Sequence, residues 1–442
     1  MKADEVPAAD SATLERALGR WDLTGIGINQ VIGGAIFLVP SQVALAVGGW
    51  SVAFVVLAGV LSLFVALCFA EAGSRFDGTG GAYVYTRAAF GRFIGFEIGW
   101  TQWFTRAASQ ASVVNGIAVS VGYYWSAAAD GLPRAALITL LTAALAVINV
   151  VGIRQSAWLV NALTIAKLVP LLGFIVFGVW YWDRDLVPPL VALDVENVAA
   201  AALLLTFTFG GFDVIGVPAG EAVAPRRHIP FALIATMTVV TAVLALVHFV
   251  LGGTLPNLAH STTPIADAAR KLFGPAAAFA IGLGAVLSMI GNNAGQVLSG
   301  SRMLFALAEH GDLPRTLGRV NARYRTPVNA IAATSIIALV LALSGSFAKL
   351  AAVSAVARLV AYAGTAVATL RLRHLERSGH VAAAAYAIPF GPVVPVLAML
   401  TSVIILVGAT GEQLGAGAAA LLAGAALFLT VRSISGSKAT RW

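Results

Sequence analysis

Apolar segments of about 20 residues or more, the length of a membrane-spanning helix, recur along the whole chain. Two of these segments are interrupted in mid-run by a pair of glycines, Gly33-Gly34 and Gly210-Gly211. A helix that stops inside a bilayer leaves backbone N–H and C=O groups unpaired, which is unfavourable unless another group satisfies them. Two such breaks at corresponding places in two halves of a membrane protein are typical of a binding site at the middle of the bilayer in secondary transporters. The alternative is ordinary packing glycine, which membrane helices use freely.

The composition defines the broad class of protein. Hydrophobic residues make up 59% of the chain and charged residues 11%, and the mean hydropathy is +0.87, which excludes a water-soluble domain with a polar surface. The apolar runs lack the alternation of barrel strands, so we predict an all-α polytopic membrane protein. Twelve spans are predicted, near residues 22–46, 51–73, 91–124, 134–152, 156–182, 197–219, 229–253, 272–308, 327–346, 348–370, 388–410 and 414–431.

The net charge of +8 is distributed unevenly. Basic residues collect before span 1 and in the loops after the even-numbered spans, which predicts that these loops and both termini are cytoplasmic. This placement favours the lipid bilayer of a plasma (inner) membrane as the partner and argues against nucleic acid. Residues 1–20 are polar and have no apolar core of a signal peptide, so they are predicted to be a cytoplasmic tail.

Several short motifs occur in a characteristic order. Together they resemble the amino acid–polyamine–organocation (APC) superfamily, and specifically its bacterial-type amino acid permeases, over essentially the whole length. The motifs are Gly33-Gly34-Ala35-Ile36-Phe37 in span 1, Phe69-Ala70-Glu71 and Gly80-Gly81-Ala82-Tyr83 after span 2, Asn161 to Leu168 in span 5, Phe207 to Asp213 in span 6, Leu298 to Arg302 in span 8, and Thr326-Pro327 before span 9.

The resemblance implies an inverted repeat of five plus five spans in which spans 1 and 6 are unwound. We therefore expect a first repeat over residues 21–182, a second repeat over 196–372, two further spans over 386–432 and a cytoplasmic tail over 433–442. Spans 11 and 12 are expected to be peripheral.

An unwound span presents free carbonyls at the end of one half-helix and free N–H groups at the start of the next. These match the ammonium and the carboxylate of an α-amino acid. We expect the carboxylate on the amides of Gly33, Gly34 and Ala35 and the ammonium on carbonyls near Ile32 and Phe207 to Phe209. Members of the superfamily usually carry glycine where Ala35 stands, and the ring of Phe207 matches an outer gate. The predicted substrate-binding set is Ile32, Gly33, Gly34, Ala35, Phe207, Thr208, Phe209, Gly210, Gly211 and Asn293.

Lys167 is the most informative ionisable residue inside a span, because such residues are costly in lipid and point to function. In related proton-coupled or ion-independent transporters, a lysine at this place resembles a substitute for sodium. We expect its ammonium to reach carbonyls near Gly33, beside the hydroxyl of Ser288, and to participate in coupling. The alternative is a lysine that snorkels to the membrane interface.

Other charged residues are expected to couple or gate transport. Asp213 follows the second break and could bind a cation, relay a proton or cap the next half-helix. Arg106 and Arg358 make the interior positive, which indicates either a second carboxylate on the substrate or, as we prefer, internal pairing with Asp213, Glu97 or backbone carbonyls. Two carboxylates at span ends, Glu71 and Glu221, are expected in ion pairs or a gate near the cytoplasmic face, and Glu97 in the same network.

Enzyme classes find little support in the sequence. The six histidines are dispersed without metal-ligand spacing, and no soluble stretch is long enough for a catalytic domain. The sequence predicts a cofactor-free secondary transporter that moves amino acids by alternating access. Proton coupling or exchange is favoured over sodium coupling, and neutral amino acids are favoured over acidic or cationic amino acids and polyamines. A channel is a weaker alternative, because no filter segment is repeated. Oligomeric state and the choice between symport and antiport stay open.

Overall fold

The computed structural model describes residues 13–125, 127, 130–344, 347–408 and 410–439, without the side chains of 122–124, 347–356, 412–413 and 433–439. This part of the chain is helical and contains no strand beyond one isolated bridge between Leu18 and Ala222. The first half comprises α1 (Arg20–Val31), α2 (Ala35–Val47), α3 (Ser51–Gly73), α4 (Ala82–Phe90), α5 (Arg92–Tyr124), α6 (Gly131–Val151) and α7 (Ile153–Gly178). The second half comprises α8 (Val195–Phe209), α9 (Pro225–Thr254), α10 (Pro264–Phe273), α11 (Pro275–Glu309), α12 (Val328–Ser344) and α13 (Phe347–Arg377), followed by α14 (Val393–Val407) and α15 (Gly411–Ala439).

These helices group into the twelve predicted spans. The helices α1 and α2 form the broken first span, and α8 with the short 3₁₀ segments 212–216 and 219–221 forms the broken sixth span. Seven segments of the described chain are long and apolar enough to cross a membrane, and α12 and α14 are shorter apolar helices. The remaining spans include α5 and α13, which carry the buried charged residues Arg106 and Arg358.

The two halves share an unusual corner. The short helix α4 meets the 33-residue helix α5 at Gly91, and the short helix α10 meets the 35-residue helix α11 at Gly274. Both glycines have nearly the same backbone angles, with φ of 90° and 84° and ψ of −177° at each. A positive φ of this size favours glycine at each corner. The third span of each half is therefore built alike, as an internal repeat requires.

The loops after the even-numbered spans gather around residues 13–19, on what we call the N-terminal face. The backbone N–H of Ala17 donates to the Glu221 carbonyl at 2.9 Å, and Arg325 Nε donates to the Thr13 carbonyl at 2.9 Å. The loops therefore alternate between two faces, as expected for a chain of twelve spans.

The opposite face is formed by the other set of loops. The N–H of Gly49 donates to the Pro189 carbonyl at 3.0 Å, and the N–H of Asp183 donates to the Gly253 carbonyl at 2.7 Å. Between the two faces, α5 packs against α11 and α13, while α1 packs against α7 and α9. The broken first span is therefore enclosed by helices of both halves.

Several predicted boundaries are wrong by a few residues. The eighth span is divided at Gly274, because that glycine turns the chain between α10 and α11. Beyond the second break, the sixth span continues in 3₁₀ turns instead of an α-helix. The last helix continues to Ala439, into the segment 433–442 that we expected to be a tail. Of the two expected tails, residues 1–12 and 440–442 lie outside the described residues.

Candidate functional site

The first break presents donors to its surroundings. Helix α1 ends at Val31 and α2 begins at Ala35, with non-helical backbone between them. The N–H of Gly33 donates to the Val31 carbonyl at 2.9 Å, whereas the N–H groups of Gly34, Ala35 and Ile36 meet no acceptor in the described part of the chain. Three consecutive free N–H groups at the start of a 13-residue helix are the arrangement that favours anions at helix N-termini. The expected contribution of the Gly33 amide is wrong, because this amide is already bonded.

The carbonyls of the first break are satisfied by side chains from two other spans. Lys167 Nζ of α7 donates to the Asn29 carbonyl at 2.9 Å and also to the carbonyl of Ile32. Ser288 Oγ of α11 lies 3.0 Å from the Ile32 carbonyl oxygen and 3.2 Å from that of Gly33. The Ile32 carbonyl is therefore occupied by protein groups, and a substrate ammonium there would compete with Lys167.

A reciprocal pair of amides joins the first break to α11. Gln30 Nε2 donates to the Asn292 carbonyl at 2.8 Å, and Asn292 Nδ2 donates to the Gln30 carbonyl at 3.0 Å. Both side chains are buried. Sequence reasoning missed Gln30, although polar amides inside an apolar span were a signal that could have indicated it.

The second break is a tight turn. Gly210 has φ −71° and ψ 149°, and Gly211 has φ 118° and ψ −14°, which are the angles of the two central residues of a type II turn. Such a turn needs glycine at its third position, where φ is positive. The N–H of Gly210 donates to the Phe207 carbonyl at 3.2 Å. One of the carbonyls expected near the substrate ammonium, that of Phe207, therefore already accepts a hydrogen bond within the turn.

The two breaks touch each other. A Cβ atom on Gly211 would lie 2.9 Å from the Gln30 carbonyl oxygen, a separation that real side chains essentially never show. By contrast, a Cβ on Gly34 would meet only Met289, at 3.7 Å. Neither Gly33 nor Gly34 has the left-handed φ that favours glycine, so this conformation occurs at the second break and not at the first.

Asp213 anchors the second break to α5 and α13. Its carboxylate forms a buried ion pair with Arg106, accepts from Gln102 Nε2 at 3.2 Å and accepts from the Tyr362 hydroxyl at 3.1 Å. The same hydroxyl accepts from the Gly211 N–H at 3.4 Å. Internal pairing of Arg106, the preferred interpretation, is thus what the structure has. Tyr362 was missed, because nothing local in the sequence connects it to a residue 149 positions earlier.

Arg358 behaves differently from Arg106. Its side chain is 9% exposed, no ion pair or hydrogen bond joins it to another described residue, and Nε is buried without an acceptor. Its Nη1 lies where a Cβ of Gly210 would be. For Arg358, the preferred interpretation of internal pairing is wrong.

The remaining predicted contact residues are dispersed around the breaks. Phe207 is 41% exposed at the last turn of α8, whereas Phe209 is fully buried in the core. Thr208 Oγ1 donates within its own helix to Leu204 at 2.8 Å. Asn293 Nδ2 donates to the Gln110 carbonyl of α5 at 3.3 Å, so its side chain faces the third span. Their roles stay predictions.

The acidic residues at span ends form ion pairs at the N-terminal face. Glu71 accepts from Arg373 at 2.7 and 2.6 Å and from Arg75 at 3.2 Å. Glu221 forms a fully buried bidentate pair with Arg302, at 2.9 Å for both contacts.

Glu97 does not belong to this network. Neither oxygen of its carboxylate has a hydrogen-bond partner among the described residues, and the side chain lies between α5 and Gly424 of α15. The expectation that Glu97 joins Glu71 and Glu221 is wrong, because α5 directs this residue toward the last span instead.

The broken spans, the repeated corners and the buried polar groups at the middle of the spans define a polytopic secondary-transporter fold. The chain matches the amino acid permease family over residues 18–428 and belongs to that family, within the APC superfamily. It is 29% identical to the serine/threonine exchanger SteT of Bacillus subtilis over 413 residues, which cover 89% of this chain and 91% of the relative. The methylthioribose transporter and the branched-chain amino acid permease BcaP of the same organism are 27% and 28% identical, each over 88% of this chain and 87% of the relative. The protein is an integral membrane amino acid transporter.

Proposed function

We propose that the protein carries amino acids by alternating access, with the α-carboxylate bound at the first break. The single observation that carries this proposal is the row of free N–H groups on Gly34, Ala35 and Ile36. An anion at a helix N-terminus gains from the N–H donors and from the helix dipole. The bound carboxylate is thus one residue further along the chain than the sequence predicted.

The α-ammonium is proposed to lie between the two breaks, against the last turn of α8. The last carbonyls of a helix lack intrahelical partners, and only that of Phe207 is bonded to Gly210. The carbonyls of Thr206 and Thr208 are therefore the acceptors that we assign to the ammonium. Phe207 is proposed as the gate on the outer side, since its half-exposed ring adjoins the turn.

Transport is proposed to be independent of sodium. Lys167 Nζ already supplies a positive charge to the Asn29 and Ile32 carbonyls, where a metal ion would otherwise be needed to hold the broken span. Coupling to protons, or exchange of one amino acid for another, then drives the accumulation of substrate. We place the protein in the plasma (inner) membrane with the N-terminal face in the cytoplasm, since basic loops favour that side.

Counterflow in proteoliposomes tests the proposal. Vesicles are loaded with an unlabelled mixture of amino acids, and entry of each labelled amino acid is measured in sodium buffer and in choline buffer. We expect saturable, trans-stimulated uptake that is equal in the two buffers. Unsaturable flux that follows only the electrical gradient would instead indicate a channel, and uptake only in sodium would contradict the role of Lys167.

The coupling role of Lys167 has its own test. A pH gradient is imposed across the vesicle membrane, and accumulation is compared between the wild type and Lys167→Ala. Accumulation by the variant that still depends on the pH gradient would contradict coupling through this lysine.

A further inference from the structure

The second break holds an arginine without a counter-charge. The Arg358 guanidinium lies against the backbone of Gly210, and no described carboxylate or carbonyl accepts from it. Burying a charge without a partner is strongly unfavourable, so buried charges are normally compensated. Here the side chain is 9% exposed and uncompensated by the described residues.

The charges around the second break do not balance. Arg106 and Arg358 contribute two positive charges, because arginine stays protonated in proteins. Asp213 contributes the one facing carboxylate, and its oxygens are already engaged by Arg106, Gln102 and Tyr362. One positive charge is left over, which a ligand of one net negative charge would neutralise. Lys167 faces the first break from α7, and its hydrogen-bond partners in the described part of the chain are backbone carbonyls, so no negative charge is added there.

Two features of the fold hold this guanidinium at the break. Gly210 has no side chain, and any Cβ there would occupy the position of Arg358 Nη1. Tyr362 lies one helical turn after Arg358 on α13 and is fixed by hydrogen bonds to Asp213 and Gly211. Residues four apart share a face of a helix, so both side chains of α13 are directed at the same turn.

A planar guanidinium in a buried site is suited to bidentate binding of a carboxylate. We propose that the substrate carries a second carboxylate on its side chain, an acidic amino acid, and that Arg358 binds this distal group. The inference rests on the proposed function, in which the α-carboxylate occupies the first break. It reverses the preference for neutral substrates and takes up the alternative of an acidic amino acid.

Ligand pairs of equal shape test the charge directly. The thermal unfolding of the purified full-length protein is followed with L-glutamate against L-glutamine and with L-aspartate against L-asparagine. A hydrogen-bonded charge is worth about 1.5–3 kcal/mol, so half-maximal stabilisation should need about 10–100-fold less of the acid than of its amide. Equal or weaker stabilisation by the acids would overturn the inference.

Variants then assign the effect to Arg358. In Arg358→Gln, the preference for the acid over its amide should fall at least tenfold and counterflow of labelled L-glutamate should be lost, whereas Arg358→Lys should retain part of both. If the Arg358→Gln variant keeps the full preference for the acid over its amide, the assignment of this preference to Arg358 is overturned. If the glutamine variant does not fold, the wild-type ligand pairs and Arg358→Lys still decide.

The two proposals fail in different ways. Stabilisation and counterflow by neutral or cationic amino acids alone would overturn the inference and leave the proposed function intact. Absence of stabilisation and of counterflow with all twenty amino acids would contradict the proposed function as well.

Discussion

The two helix breaks are alike in sequence and opposite in construction. At the first break, the carbonyls are satisfied by Lys167, Ser288 and Asn292 from α7 and α11, and N–H groups remain free. At the second break, the backbone closes on itself in a type II turn, and Asp213 carries the attachment to α5 and α13.

This difference means that each half of the protein fixes one break with a polar side chain of its own. The amino group of Lys167 donates to the carbonyl end of the first span, whereas the Asp213 carboxylate accepts hydrogen bonds next to the turn of the sixth. The first break therefore leaves N–H donors free, and the second lies beside Arg106 and Arg358.

Removal of the charge of Asp213 should have the largest effect. Asp213→Asn leaves Arg106 buried without a counter-charge, which costs about 3–5 kcal/mol in other buried pairs. We expect a strongly lowered unfolding temperature, measured by tryptophan fluorescence, and loss of uptake. The double variant Asp213→Asn with Arg106→Gln should recover stability, because the orphaned charge is gone. A double variant less stable than Asp213→Asn alone would show that the ion pair does not hold this break.

Removal of the cation at the first break should have a smaller but still severe effect. Lys167→Met leaves the Asn29 carbonyl without its donor, at a cost of about 1–3 kcal/mol, while Ile32 keeps Ser288. We expect reduced thermal stability and at least tenfold slower counterflow. Lys271→Met is a matched control, because Lys271 Nζ also donates to a backbone carbonyl, that of Thr254, but at a loop. Equal effects of the two substitutions would contradict a special role of Lys167.

The sequence predicts where the two breaks and the surrounding spans lie, but not which contacts each break makes. The glycine pairs located both breaks, and the length of the apolar runs located the spans that surround them. The motif order also indicated that Lys167 lies beside the first break. What each break does depends on contacts between residues far apart in the chain, such as Gln30 with Asn292, which are 262 positions apart.

The errors have the same physical origin. Of the four glycines at the two breaks, Gly211 alone has a left-handed φ, a difference that the two similar glycine pairs do not reveal in the sequence. Backbone conformation at a break is set by the side chains that satisfy it, and those come from other spans. For the same reason, the sequence shows two arginines in apolar runs but does not show that the surroundings of Arg106 and Arg358 differ.

Substituting one glycine of each break by alanine should destabilise the second break more than the first, because backbone strain arises only in the second. Gly211→Ala forces a side chain into a left-handed conformation, which costs about 1–2 kcal/mol, and also places Cβ against the Gln30 carbonyl. We expect a lower unfolding temperature. Gly34→Ala has room and no left-handed φ, so its stability should stay near that of the wild type while the half-saturating substrate concentration rises. Equal destabilisation by both substitutions would contradict the contrast.

The smallest effect is expected at Ser288, and it measures how far the first break relies on shared donors. Ser288→Ala removes one of two donors to the Ile32 carbonyl, so we expect a loss of about 1 kcal/mol or less and near-normal counterflow. Ser402→Ala is a matched control, since this buried hydroxyl bonds only within α14, to Ala398. Combined with Lys167→Met, however, Ser288→Ala leaves the Ile32 carbonyl without either donor, and the double variant should lose more stability than the sum of the single variants. Strict additivity would mean that the two donors do not share this carbonyl, and that the first break is held by the Asn29 contact alone.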